Sequence, residues 1–78
     1  MDNWRMELMF YWNAVAWKLG PWTMSLWPKD ATDYEVILNW SDGNYMENVY
    51  AEIGANPFEL LHLAYQAFCN DADKRKEN

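Results

Sequence analysis

The sequence predicts an α+β domain: an antiparallel sheet of about three strands, a C-terminal helix packed on one face, and an N-terminal helix or extra strand. Three observations carry this expectation. Residues 33–52 form two alternating runs split by Asp42-Gly43, and Asp-Gly between such runs is a strong hairpin signal. Residues 56–73 begin with a helix start signal, Asn56-Pro57-Phe58-Glu59, and continue with apolar residues at helical spacing. Gly20-Pro21, Pro28-Lys29-Asp30 and Gly54-Ala55-Asn56-Pro57 cut the remainder into short elements. A chain of 78 residues, without repeats, linkers or low-complexity tracts, supports one compact domain, 1–78.

The N-terminal segment fits two periodicities. Trp4, Met6, Leu8, Phe10 and Trp12 alternate with Arg5, Glu7, Met9 and Tyr11, as in a strand. Trp4, Leu8, Tyr11, Trp12, Val15 and Leu19 also share one face of a helix, which Asp2 would cap and Gly20-Pro21 would stop. The Met, Leu, Ala, Glu and Arg content and the lack of a turn signal in 2–19 favour the helix. Trp22 to Trp27 alternates Trp22, Met24 and Leu26 against Thr23, Ser25 and Trp27, a short strand with proline on both sides, which suits a sheet edge.

With Asp42-Gly43 as a two-residue loop, the hairpin pairs Leu38 with Glu47, Val36 with Val49 and Tyr34 with Ala51. One face then carries Tyr34, Val36, Leu38, Trp40, Tyr45, Val49 and Ala51, with Glu47 as an intruder. The other carries Asp33, Glu35, Ile37, Asn39, Met46, Asn48, Tyr50 and Glu52. In the last element Asn56 is the N-cap, Pro57 takes the first helical position and Glu59 the third, as in a capping box. Phe58, Leu61, Ala64, Tyr65 and Phe68 form the apolar stripe of a helix from Pro57 to about Asp73. Lys74, Arg75 and Lys76 complement its dipole, with 74–78 expected to be a frayed basic tail.

A domain this small buries only about 60% of the surface its unfolded chain exposes. The one cysteine, Cys69, allows no intramolecular disulfide, so six Trp, five Tyr and three Phe are the expected core-fillers. Surplus aromatics would serve a partner or a homodimer. The first residues lack the basic start and small-residue cleavage site of a secretory signal. No apolar run approaches the ~20 residues of a membrane span; Leu8 to Trp17 is broken by Asn13. The expectation is a soluble cytoplasmic protein.

Charge is distributed unevenly. Residues 1–29 hold two acids and three bases, residues 30–73 hold nine acids and no Lys or Arg, and residues 74–78 hold three bases and one acid. Phosphate-backbone binding runs on Lys and Arg, so direct nucleic-acid binding is disfavoured. A basic protein surface is the complementary partner. Helix, three strands, helix is also the order of double-stranded-RNA-binding domains. Those domains read RNA with basic residues at the start of their last helix, where this chain has Asn56-Pro57-Phe58-Glu59, so that function is excluded even if the topology matches.

No constellation supports catalysis. His62 and Cys69 sit seven apart on the helix, about 10 Å along its axis, beyond hydrogen-bonding reach. Glu59 and His62 supply at most two ligands of a metal site, and Asp30, Asp33 and Glu35 do not match a calcium loop. No cofactor, metal or catalytic residue is expected. The partner-binding residues are instead Asp30, Asp33, Glu35, Asp42, Glu47 and Glu52, with Tyr50 and Trp27 as aromatic anchors. Asp33 and Glu35 are expected about 6.6 Å apart on one strand face, with Glu52 beside them on the neighbouring strand.

In its single-domain size, its lack of catalytic motifs and its base-free run from Asp30 to Asp73, the chain resembles the small acidic phage-encoded inhibitors of bacterial defence or host nucleic-acid enzymes, of which the anti-CRISPR proteins are the best-known class. The resemblance implies a non-catalytic inhibitor that binds a nucleic-acid-handling protein, blocking its DNA- or RNA-binding channel or a docking site, in the cytoplasm of an infected bacterium. The alternative is a small homodimeric interaction domain built on exposed aromatics, in which the acidity serves solubility.

Overall fold

The computed structural model describes residues 6–11 and 14–76. They form an antiparallel sheet followed by one helix: β1 (Met6–Tyr11), β2 (Ala14–Leu19), β3 (Trp22–Pro28), β4 (Tyr34–Ser41), β5 (Met46–Gly54) and α1 (Pro57–Lys76). Strand order equals chain order, so the five strands are a simple meander. The α+β class and the C-terminal helix are as the sequence predicts.

The N-terminal segment takes its strand periodicity rather than the helical one, and does so twice. β1 and β2 pair antiparallel from Met6↔Leu19 to Tyr11↔Ala14. β3 has β2 on one side and β4 on the other, so it is an interior strand rather than an edge. Helix propensity in 2–19 amounts to a few tenths of a kcal/mol per residue. Pairing with β3 overrides it, because β2 shares the row Leu19↔Trp22, Trp17↔Met24, Val15↔Leu26. The helix-cap candidate Asp2, together with Trp4, Arg5 and Trp12, lies outside the described residues. Between β2 and β3, Gly20 (φ 60°) and Pro21 make a two-residue turn, with glycine in the first central position, where a hairpin turn requires positive φ.

The β4–β5 hairpin departs from the predicted register. A two-residue type I′ turn needs positive φ at both central positions. Gly43 takes it (φ 97°), while no described residue other than glycine does. The Asp42 carboxylate instead accepts the backbone N–H groups of Asn44 and Tyr45, both at 2.9 Å, and the loop widens to residues 42–45, with Ser41 opposite Met46. Tyr45, expected on the core face, is therefore an exposed loop residue. Further along, the register shifts between Leu38 and Asn39, which leaves Val49 as an extra residue in β5. Such a bulge swaps the faces of everything beyond it.

One sheet face carries the core. Trp22, Met24, Val36 and Leu38 pack against Leu60, Ala64 and Phe68 of α1. The helix therefore buries an i, i+4, i+8 row in which Ala64 and Phe68 belong to the predicted stripe and Leu60 takes the place expected of Phe58 and Tyr65. Phe58 is 79% and Tyr65 56% exposed. The start of α1 is as expected: the Asn56 side-chain oxygen accepts the N–H groups of Phe58 (3.0 Å) and Glu59 (3.3 Å). At the other end the helix continues through Lys76, so residues 74–76 belong to it. Arg75 is the anchor there. Its guanidinium stacks 3.9 Å from the centroid of Trp40 and donates to Asp71 (2.6 Å) and Glu47 (3.1 Å).

α1 contacts β3, β4 and β5, and among the described residues it does not reach β1 or β2. The molecule is accordingly long, 41 × 22 × 22 Å, with two layers on one side and one on the other.

Candidate functional site

The strand directions sort the charges into two ends. β3 ends, β4 begins, β5 ends and α1 begins at one end; the β2–β3 turn, the β4–β5 loop and the last turn of α1 lie at the other. The first end gathers Asp30, Asp33, Glu35, Glu52 and Glu59, and the one base there among the described residues is Lys29. At the second end Asp42, Glu47, Asp71 and Asp73 meet Lys74, Arg75 and Lys76, while Lys18 stands opposite Glu7 in the β1–β2 register. The base-free run of the sequence is therefore half neutralised in space and half concentrated.

At the acidic end each residue is placed by its backbone. Asp30 organises the β3–β4 loop. Its Oδ1 accepts the N–H groups of Thr32 (3.0 Å) and Asp33 (2.9 Å) and the Thr32 hydroxyl (3.2 Å). These bonds, Thr32 first, hold its carboxyl below the ordinary aspartate value of 3.8, because they favour the charged form. The loop is closed by Lys29 and Asp30 N–H groups donating to the Asp33 carbonyl, at 2.9 and 3.3 Å. Glu35 is half-buried on the outer face, in a row with Trp27 on β3 and Ile53 on β5, and lies 4.0 Å from the Lys29 ammonium.

Glu52 is where the predicted site changes shape. The Val49 bulge puts it opposite Val36 on the helix side of the sheet, while Glu35 sits opposite Ile53 on the outer side. Asp33, Glu35 and Glu52 therefore do not share a strand face, and Asp33 precedes β4 altogether. Tyr50 moves with Glu52 to the helix side, opposite Leu38, and joins the rim of the core. Its hydroxyl is pushed above its ordinary value by burial first, then by the charge of Glu52 and its hydrogen bond to that residue.

Asp42 and Glu47 lie at the opposite end. Asp42 is absorbed by its loop, and the N–H groups of Asn44 and then Tyr45 hold its carboxyl below 3.8. Glu47 does intrude on the core face as predicted, opposite Trp40, and is matched there by Arg75. Of the eight predicted partner-binding residues, the structure brings together Asp30, Asp33, Glu35, Glu52 and Trp27.

Three residues of the acidic end carry no site signal in the sequence. Glu59 reads as a capping residue and Phe58 as core. Ile53, 45% exposed, becomes an outer-face residue through the bulge alone. Phase within the helix is the signal that separates Phe58 from the core: it falls outside the Leu60-Ala64-Phe68 row. Elsewhere, His62 is exposed and Cys69 half-buried beside Tyr65, whose hydroxyl is raised chiefly by its hydrogen bond with Cys69. Among the described residues no group of three His, Cys, Asp or Glu side chains is placed to hold a metal ion, and no helix is long and apolar enough to cross a membrane.

No protein family matches the chain, and no curated protein or solved structure matches it.

Proposed function

We propose that this protein is a non-catalytic binder that docks its acidic end on a basic surface of a nucleic-acid-handling protein, in the manner of an anti-CRISPR or related anti-defence inhibitor. One observation carries this reading. Five carboxylates converge where the sheet meets the start of α1, opposed by one lysine, and Phe58 and Ile53 stand exposed among them. Carboxylates steer encounter with a basic groove, and an exposed ring supplies the desolvated contact that holds it. The carboxylates ring the end of the sheet on both faces, which suits insertion of that end into a cleft better than the flat acidic face expected from the hairpin alone.

The test is retention of partners from a bacterial lysate at low salt on the immobilised protein. The expected partner is a nucleic-acid-binding protein released by added DNA and by salt. A Glu52→Lys/Glu59→Lys protein should lose it roughly a hundredfold or more, because both side chains are exposed and the fold does not rest on them. Asp73→Lys, an equally exposed carboxylate at the compensated end, should retain it. Equal binding by both variants would remove the acidic end from the mechanism.

A further inference from the structure

We propose that the outer edge of β5, from Tyr50 to Gly54, adds an antiparallel strand from a partner protein, one that carries Lys or Arg opposite Glu52 and apolar residues on either side of it. This rests on the acidic end as the docking surface, and it names the element that docks and the kind of segment that element takes.

The backbone directions leave this edge open. β5 is an outer strand of the sheet. In an antiparallel sheet each residue turns its N–H and its C=O to the same side, and successive residues alternate. The Ser41 N–H donates to the Pro21 carbonyl at 2.9 Å, so Ser41, and with it Asn39, Ile37 and Glu35, turns towards β3. Leu38, Val36 and Tyr34 turn the other way, to Tyr50, Glu52 and Gly54. Ala51 and Ile53 are therefore left with both backbone groups pointing away from β4. Both residues are exposed, and among the described residues no backbone group from 46 to 54 bonds to backbone beyond β4. An edge of this kind is a template for strand addition. The Val49 bulge breaks the regular ladder, which confines the template to the half of β5 at the acidic end.

Charge and register select the occupant. An added strand that bonds to Ala51 and Ile53 sets one residue opposite Glu52 in a non-hydrogen-bonded pair, where Cα atoms are about 4.5 Å apart and side chains are closest. Glu52 is exposed, and Glu59 stands nearby in the first turn of α1. Lys29, the one base at this end among the described residues, lies beside Glu35 at 4.0 Å. A Lys or Arg opposite Glu52 is therefore attracted, and an acid there is repelled. On the outer face the neighbours of the added strand are Ala51 and the 45% exposed Ile53, which favour apolar residues at the flanking positions. A second copy of this chain does not fit. Antiparallel pairing that uses the same four groups on both copies sets Glu52 opposite Glu52, and like charges directly opposite are destabilising.

The probe is a blocked peptide, Ser-Val-Lys-Val-Lys-Val-Ser, titrated into the full chain labelled for amide NMR. The Ala51 and Ile53 amides should shift and gain protection from hydrogen exchange. N-methylation of the peptide's valines removes its donors and keeps its charge, and should weaken binding roughly tenfold or more. Ala51→Pro should do the same with unchanged circular dichroism, because an edge strand tolerates proline where the N–H faces away from the ladder. Glu52→Lys should also weaken binding, and Asp73→Lys should not. Absence of binding overturns the proposal, as does binding indifferent to N-methylation, which would be charge attraction alone. Shifts of the same two amides on raising the protein concentration without peptide overturn it too, since they assign the edge to a second copy. Retention of the lysate partner separates the two readings. If Glu52→Lys/Glu59→Lys loses the partner while Ala51→Pro keeps it, the acidic end stands and the edge falls; if both keep it, the acidic end falls.

Discussion

The β1–β2 hairpin and the β3–β5 sheet belong to one meander but are held by different means. β3, β4 and β5 have a helix across them, and their core side chains reach full burial, as at Val36, Leu38 and Ala64. β1 and β2 have ladder bonds and their neighbour β3, with no second layer among the described residues. The charge follows the same division. The layered half carries the acids, and it settles part of them locally: Asp30 and Asp42 in loop turns, Glu47 and Asp71 on Arg75. The hairpin half is nearly neutral. Acidity in this protein is thus in part an architectural resource.

The largest expected effect breaks the comparison if it fails. Leu38 is fully buried between sheet and helix, so Leu38→Ala should cost about 2–5 kcal/mol in urea-induced unfolding. Leu19→Ala, at a half-buried position on the margin of the core, should cost roughly 1 kcal/mol, for about half the burial. Equal losses would mean that the two halves are equally packed.

Arg75→Met sharpens the account of how the acids are settled. It keeps most of the apolar stem over Trp40 and removes the bonds to Asp71 and Glu47. A loss of about 1–3 kcal/mol is expected for a part-buried pair of charge-assisted bonds. Asp71 keeps the indole N–H of Trp22, at 2.8 Å, as a donor. The loss should shrink in the Arg75→Met/Glu47→Gln double variant, which a thermodynamic cycle would detect.

The smallest effect concerns pH. Asp30 and Asp42 are held below 3.8 by backbone N–H groups. A carboxylate with a lowered folded value binds its proton more readily when unfolded. Its contribution is complete above the unfolded value and fades as pH falls through the folded one. Stability should therefore drop below about pH 4. Asp42→Asn, which keeps the accepting oxygen, should flatten part of that acid limb. An acid limb identical to that of the parent protein would show that the loop bonds of Asp42 do not couple to folding.

Much of the fold is legible in the sequence where a residue acts on its own neighbours. Asn56-Pro57 starts the helix as expected, because a cap needs only the N–H groups two and three residues on. Gly20-Pro21 and Asp42-Gly43 mark turns for a comparable local reason. The N-terminal segment was ambiguous because a helix face and a strand alternation both fit it. The partner that decides, β3, is only found in three dimensions. The candidate site was legible in composition and not in geometry. Asp30, Asp33, Glu35 and Glu52 were visible as acids, but Val49 moves Glu52 to the other face, and the helix start brings in Glu59 and Phe58 from outside the hairpin.

By itself the sequence determined the α+β class, the breaks at Gly20-Pro21 and Asp42-Gly43, the helix start and a stretch of 44 residues, 30–73, without Lys or Arg. Each of these depends on side-chain chemistry acting within a few residues. The tertiary structure decided that residues 6–11 and 14–19 pair as strands, that among the described residues α1 shields only β3 to β5, and that the acids divide between a largely compensated and an uncompensated end. Those outcomes depend on register and on which end of each element meets which. A single extra residue in β5 changes the face of every residue after it, and no local pattern records that choice.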